Sequence, residues 1–337
     1  MIMNRTSLYF TGPGQVKICQ ETVPAPALGE VMVQTLLSAI SPGTEMLVYR
    51  GQFPEKLALD ANIPSLAGDF GYPLKYGYAC IGKVIAIGER VNPDWQNQLV
   101  FSFHPHESCF TAAPDELISI PKNISNEDAL FLPNMETAVN FVMDGKPLIG
   151  ERVAVFGQGI VGLLTTALLG QFPLSDLVSF DRYPFRRRTS LGLGAQASYD
   201  PAGSILEPVQ AHFPSGADLT FEVSGMPEAL DQAIAATGFS GRVVIGSWYG
   251  RKQANLNLGG YFHRSRIRLI SSQVSSLSPE FSGRWTKARR FEVAWEMIRK
   301  IQPARLITHR FSHQQAPEAY HLLDKKPGEA IQVVLTY

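Results

Sequence analysis

Three glycines, Gly157, Gly159 and Gly162, follow the apolar run Arg152-Val153-Ala154-Val155-Phe156 and precede a second apolar stretch from Leu163 to Phe172. Strand, turn and helix in that order make Gly157-Gln158-Gly159-Ile160-Val161-Gly162 a G-x-G-x-x-G fingerprint, the arrangement that cradles a pyrophosphate. The first glycine permits the tight turn, the second lets the backbone approach the phosphates, and the third lets helix and strand pack closely. The helix N-terminus offers its free N–H groups to the anion. A further apolar segment, Leu177-Val178-Ser179-Phe180, ends in Asp181, 19 residues after Gly162. An acid there accepts from the hydroxyls of an adenosine ribose and repels a 2'-phosphate, which favours NAD. Arg182, Arg186, Arg187 and Arg188 crowd the same loop, and arginine is the usual phosphate partner, so NADP stays open. Arg182, Ser224 and Gly246 complete the expected cofactor-binding set.

These residues need a sheet to hold them. From Glu151 onward apolar strands alternate with helices: Asp218 to Gly225, a helix from Pro227 to Thr237, Gly241 to Gly246, and Ile267 to Ser271 as a last strand. Such alternation predicts a parallel, doubly wound sheet. Ahead of it, Ser7 to Lys122 is dense in Pro and Gly, with short alternating runs such as Glu30 to Leu36 and Gly82 to Gly88, the pattern of a β-rich, barrel-like unit. Asn126 to Asp144 reads as helical turns interrupted by Pro133. Arg289 to Lys300 and Ala316 to Asp324 read as helices, and Ala330 to Leu335 as a closing strand that returns to the first unit. The β-rich unit is therefore expected over 1–122 and 276–337, with the dinucleotide-binding unit at 123–275 between its halves.

The 337 residues carry 30 Lys+Arg and 30 Asp+Glu, so no global field favours nucleic acid or an anionic membrane. Cys19, Cys80 and Cys109 are too far apart for a disulfide framework or a zinc knuckle and read as reduced thiols. Met1 to Phe10 lacks the features of a secretory signal, and Gly159 to Leu169 is too short to span a bilayer. The cytoplasm is the expected compartment. His104-Pro105-His106-Glu107 is rich in potential metal ligands, but the proline keeps the imidazoles off a shared helical face, so exposed loop histidines are the commoner reading.

The order of elements resembles the medium-chain dehydrogenase/reductase superfamily along essentially the whole chain. Besides the glycine fingerprint, the resemblance rests on Ser41-Pro42-Gly43-Thr44-Glu45, Gly77-Tyr78-Ala79-Cys80-Ile81-Gly82, Leu99-Val100-Phe101 and Met135-Glu136-Thr137-Ala138. Ser282-Gly283-Arg284-Trp285-Thr286 with Arg289-Arg290 is similar to the alcohol dehydrogenase branch that includes hydroxyethyl bacteriochlorophyllide dehydrogenases. The resemblance implies a GroES-like catalytic domain, a Rossmann domain, hydride transfer between a nicotinamide and a small molecule, and a homodimer.

It also exposes departures. Zinc-dependent relatives carry Cys-Gly-Thr-Asp and Gly-His-Glu where this chain has Pro42-Gly43-Thr44-Glu45 and Gly77-Tyr78-Ala79. A later ligand falls near Met135-Glu136, and the four-cysteine lobe for structural zinc is missing, so no zinc is expected. Thr44 matches the hydroxyl that relays a proton in relatives, and Tyr78 matches a histidine ligand. Tyr78 is the first candidate for general acid/base, with Lys75 as a cation to lower its pKa and His104 and His106 in reserve; a pocket-lining role for Tyr78 stays open. Alcohol–carbonyl interconversion leads. Reduction of an activated C=C bond, as in enoyl and quinone reductases, and dinucleotide binding without turnover are the alternatives. The cationic and aromatic tracts Trp248 to Arg268 and Arg284 to Arg290 read as surface, or as contacts for an acidic or planar substrate.

Overall fold

The computed structural model describes residues 3–54, 58–59 and 63–337. The chain opens with β1 (Met3–Gly12), β2 (Gln15–Val23), β3 (Val31–Ile40), α1 (Thr44–Tyr49), β4 (Cys80–Ile87), β5 (Leu99–Ser102), β6 (Cys109–Ala112), β7 (Leu117–Ser119), α2 (Asn126–Ala129) and α3 (Leu132–Gly145). Alternation follows: β8 (Arg152–Phe156), α4 (Ile160–Leu169), β9 (Asp176–Phe180), α5 (Pro184–Leu191), β10 (Ala197–Tyr199), α6 (Leu206–His212), β11 (Ala217–Glu222), α7 (Pro227–Ala236), β12 (Thr237–Ile245) and β13 (Arg268–Ser271). It closes with α8 (Lys287–Ile301), β14 (Ile307–Ser312), α9 (Ala316–Lys325) and β15 (Gln332–Thr336). None of the described helices is long and apolar enough to cross a membrane.

Two compact units result, one of residues 1–133 with 298–337 and one of 134–297. The divisions fall inside α3 and α8 rather than at the loops near 122 and 275 that the change of periodicity suggested. The expected first span, 1–122, includes residues 1–2, 55–57 and 60–62, which lie outside the described residues. Asn126 to Asp144 is two helices: Ser125 caps the first through Asp128 N at 3.0 Å, and Pro133 sits in the first turn of the second, where its missing N–H costs nothing.

In the β-rich unit, β1 and β2 form a hairpin, and the larger sheet runs β14-β15-β3-β4-β5-β7 with β6 also on β3. Strand β3 is the hub. Its first half pairs β6 and its last residues pair β15 in the register Ser38↔Leu335, while β4 lies along its other edge with Ser38 opposite Cys80. The closing strand thus returns to this unit as its periodicity predicted. Val31, Val33, Val84, Val100 and Phe110 fill one core of the curled sheet.

The second unit holds one six-stranded parallel sheet in the order β10-β9-β8-β11-β12-β13. Its central strands β8, β9 and β11 are buried on both faces, which is why they read as nearly unbroken apolar runs. Ala154 and Phe156 of β8 pack with Val209, Leu230 and Ala233 on one side, whereas Val153 and Val155 pack with Phe141 and Leu169 on the other. Strand order reverses between β8 and β11, and a ligand binds such a sheet beyond the carboxyl ends of the strands at that switch point.

Candidate active site

The glycine turn leaves β8 at that switch point. Gly157 has φ +94°, and a Cβ there would stand 2.5 Å from Ser224 Cα. A Cβ on Gly162 would lie 1.9 Å from the Gly157 carbonyl oxygen, so helix and turn meet backbone to backbone. Gly159 differs: the nearest atom to its Cβ position is Arg186 Nη1 at 3.9 Å, leaving room for a phosphate. No side chain caps α4 at Gly159, so its first N–H groups face that room without a side-chain partner. Ile160 is buried and Val161 half-buried, and the Gln158 side chain turns inward to accept from Thr166 Oγ1 at 3.0 Å, so Gln158 offers the site its backbone.

Asp181 closes the cradle from the end of β9. Its Oδ2 accepts from Gln158 N and its Oδ1 from Tyr183 N, both at 2.8 Å, and each oxygen keeps a further lone pair. The Arg186 guanidinium lies 5.0 Å over the Tyr183 ring, its pKa lowered by burial despite the nearby Asp181. Arg187 bonds the Asp181 carbonyl at 2.7 Å and pairs with Asp200, while Arg182 and Arg188 are exposed. Ser224 bonds Glu222 Oε1 at 2.5 Å and backs the turn. Gly246 is needed for packing, because a Cβ there would meet the Phe141 ring at 2.2 Å.

A second polar assembly fills the β-rich unit. The antiparallel register of β3 and β4 brings the segment after Ile40 beside the segment before Cys80, and the Tyr78 hydroxyl donates to Ser41 Oγ at 2.6 Å. Tyr78 is half-buried and Ser41 nearly buried. Beneath them Glu45 is wholly inaccessible. Its Oε1 accepts from Ser41 N at 2.8 Å, and its Oε2 takes His106 Nε2 at 3.0 Å and the Tyr320 hydroxyl. His106 Nδ1 meets Ser38 Oγ at 2.7 Å, which in turn meets the Tyr337 hydroxyl at 2.9 Å. One tautomer satisfies the set: Nε2–H donates to an ionised Glu45 and Nδ1 accepts from Ser38. Burial and the Glu45 charge raise the Tyr320 phenol well above its usual range, so it remains a donor. Thr44 opens α1 beside this assembly, half-buried.

Two of the proposed catalytic side chains have other work. Lys75 Nζ lies between Glu107 at 2.6 Å and Glu21 at 2.9 Å, so its charge is committed to that pair rather than to Tyr78. His104 Nε2 bonds Glu107 Oε2 at 2.8 Å, its ring stacks on Phe110 at 3.7 Å, and burial lowers its pKa. Arg5 and Ser7 complete the ring of donors on Glu107. His106, expected on an exposed loop, is fully buried. In the other unit, Arg290 is not a surface cation for an acidic substrate. It is fully buried, with Nε and Nη2 on Glu136 Oε1 at 3.1 and 2.7 Å and Nη1 on Asn140. Arg289 stacks over Trp285 at 4.1 Å. Sequence reasoning overlooked Ser41 as a partner of Tyr78 and the Glu45–His106 pair. Gly77 was the available signal, since φ +130° and a Cβ position 2.8 Å from the His106 ring show that it makes room for that imidazole.

An all-parallel sheet in this order, with a glycine cradle at its switch point and a β-rich partner unit, defines a two-domain dinucleotide-binding protein. Comparison with known proteins narrows the class. A family described as zinc-binding dehydrogenase matches residues 161–291. The starvation-sensing protein RspB of Escherichia coli K12 is 22% identical over 98% of this chain and 99% of its own. D-guloside 3-dehydrogenase of the same organism is 23% identical over 98% and 99%. A crystal structure of rspB from E. coli CFT073, described as an alcohol dehydrogenase complexed with NADH, superposes with a TM-score of 0.81 at 19% identity, covering 99% of each chain. The match to the zinc-binding dehydrogenase family thus falls within the second unit, and the chain shares its fold along its length with an alcohol dehydrogenase structure.

The family's name implies a metal, and the donors present do not fit one. Pro42 and Ala79 offer no ligand atom, the Tyr78 hydroxyl is given to Ser41, and Glu136 is neutralised by Arg290. Glu45 already accepts three hydrogen bonds. Among the described residues no group of three or more His, Cys, Asp and Glu side chains is placed to hold an ion. By contrast the glycine cradle, the uncapped α4 and Asp181 fit a dinucleotide.

Proposed function

We propose that this protein is an NAD-dependent oxidoreductase that interconverts an alcohol and a carbonyl without zinc, with Tyr78 as its general acid/base. The observation that supports the reading is the Tyr78 phenol bonded to Ser41 at 2.6 Å, in the Gly77-Tyr78-Ala79 motif where the sequence resemblance implies a metal ligand in zinc-dependent members. A bound nicotinamide supplies or takes the hydride. The remaining requirement is a proton at the substrate oxygen, and a polarised O–H can provide it, contributing about 10²–10⁴-fold in rate. Asp181 favours NAD over NADP by its charge; among similar structures one holds NADH and another NADP. The chain would act on a small polyol or a sugar derivative, as the names (R,R)-butanediol dehydrogenase, sorbitol dehydrogenase and D-guloside 3-dehydrogenase among its relatives suggest, as a cytoplasmic homodimer without nucleic-acid or membrane partners.

A panel of sugar alcohols, secondary alcohols and their ketones with NAD(H) tests the reaction. Tyr78→Phe should lower turnover by about tenfold or more while NADH affinity stays within about twofold; undiminished turnover removes Tyr78 from the mechanism. Metal analysis of protein purified without chelator should give far less than one zinc per chain, and a value near one defeats the metal-free reading. The misfit to zinc also favours a second possibility, reduction of an activated C=C bond, which NADH oxidation by alkenals or quinones but not by ketones would select.

A further inference from the structure

Ser41 Oγ accepts from Tyr78 at 2.6 Å, and its backbone N–H is pinned to Glu45 Oε1 at 2.8 Å. Glu45 is itself held by His106 and Tyr320 inside a buried assembly that takes in Ser38 and reaches the surface at Tyr337. A serine hydroxyl has one proton and two lone pairs and rotates about Cβ–Oγ. The same Ser41 oxygen can therefore accept from a phenol or, after rotation, donate to a phenolate. Fixing its backbone does not fix that rotor.

We propose that Ser41 is a positioning residue for proton transfer: it holds the resting Tyr78 hydroxyl by accepting from it, and when the Tyr78 proton turns to the substrate oxygen the Ser41 O–H rotates to donate a hydrogen bond to the Tyr78 oxygen, and then to the phenolate. The inference rests on Tyr78 acting as the general acid. In the reducing direction the carbonyl carbon gains a hydride from the dihydronicotinamide, and the carbonyl π pair forms an O–H bond with the Tyr78 proton. The O–H bond of Tyr78 breaks and leaves its electron pair on the phenolate oxygen. Water then returns one proton to the phenolate, so Ser41 finishes as it began. A hydrogen bond to a charged oxygen is roughly twice as strong as a neutral one, so Ser41 favours the state formed during transfer over the resting state.

Glu45 gives this arrangement its precision. Loss of the Ser41 hydroxyl should act on the chemical step more than on binding, because the serine is not required to touch substrate. Ser41→Ala is expected to lower kcat by about fivefold to twentyfold with KM changed less than about threefold. Ser41→Thr keeps the hydroxyl and should recover most of the loss.

The deciding measurement does not depend on turnover. Protein carrying 3-fluorotyrosine gives a ¹⁹F resonance for position 78, assigned by its loss in Tyr78→Phe. In protein with and without NADH, that resonance should move in Ser41→Ala and return toward its original position in Ser41→Thr, with thermal melts confirming that both variants are folded. A resonance that Ser41→Ala leaves in place overturns the proposal, as does a kcat within twofold of the parent for that variant on the best substrate of the panel. If Tyr78→Phe keeps full turnover while the resonance responds to Ser41, the general-acid reading fails and the hydrogen bond stands as structural. If Tyr78→Phe is inactive and the resonance ignores Ser41, the acid stands and Ser41 does not serve it.

Discussion

At the scale of single residues, the polar assembly of the β-rich unit depends on what Gly77 lacks. Its left-handed φ and the contact its Cβ would make with the His106 ring are two separate penalties on any side chain there. Gly77→Ala is therefore expected to destabilise the protein by about 3 kcal/mol, since overpacking and backbone strain each contribute on the order of 1–3. His106 would be pushed off Glu45, and Ser41 would lose its anchor through Glu45. Gly43→Ala is the matched control, because nothing lies within 4 Å of its Cβ position. Equal melting temperatures for the two variants would show that the His106 ring does not need the space. The pairing behind this argument was hidden in the sequence. Glu45 and His106 are 61 positions apart, and His104-Pro105-His106-Glu107 reads as exposed loop histidines only while its long-range partners are unknown. Arg290 was misread for the same reason: its acid, Glu136, lies 154 positions away.

At the scale of elements, much of the nucleotide cradle was legible, because its chemistry is local. Strand, glycine turn and helix occupy consecutive residues, and Gly157 and Gly162 answer to contacts just beyond the end of β11 and within the β8-to-α4 connection. The side chains that pin β9, Asp181 above all, also fall at the spacing the motif demands. What spacing could not tell was which glycine serves the fold and which serves a ligand. Gly162 abuts the Gly157 carbonyl, whereas the space over Gly159 is open but for Arg186. Gly159→Ala should accordingly melt within about 1 kcal/mol of the parent, as expected of a substitution away from packed contacts, yet bind NADH at least tenfold more weakly because the methyl takes the phosphate's place. Gly162→Ala should lose both stability and affinity. Thermal melts with titration of nicotinamide fluorescence separate the two, and a Gly159→Ala protein that binds NADH normally would mean that the pyrophosphate does not lie over this turn.

At the scale of the whole molecule, equal numbers of acids and bases leave pH dependence to groups whose surroundings shift them. Burial raises the Glu107 pKa, but hydrogen bonds from His104 and Lys75 outweigh it and hold the carboxyl at about 2. Glu21 is likewise held at about 2, burial being outweighed by bonds from Tyr9, Lys75 and Ser7. Both acids are depressed below the ordinary value near 4.5, so their stabilisation is complete above pH 4.5 and is lost as pH falls toward 2. His313 acts earlier. Burial pushes its pKa down to about 4 from an ordinary 6.5. The unfolded chain binds that proton between pH 6.5 and 4 while the folded chain does not, so stability declines over this window first. The decline is on the order of 2 kcal/mol once solvent screening is allowed for. His313 stacks on Tyr337 at 4.4 Å and bonds Thr6 Oγ1 at 3.1 Å, so its protonation strikes where β1 and the end of the chain meet. Urea unfolding from pH 7.5 to 3 at constant ionic strength should show two legs, one above and one below about pH 4.5. His313→Gln should make the upper leg shallower, leaving the share of His104, which burial also lowers, and spare the lower leg; an upper leg of unchanged slope in that variant would assign the decline to another group.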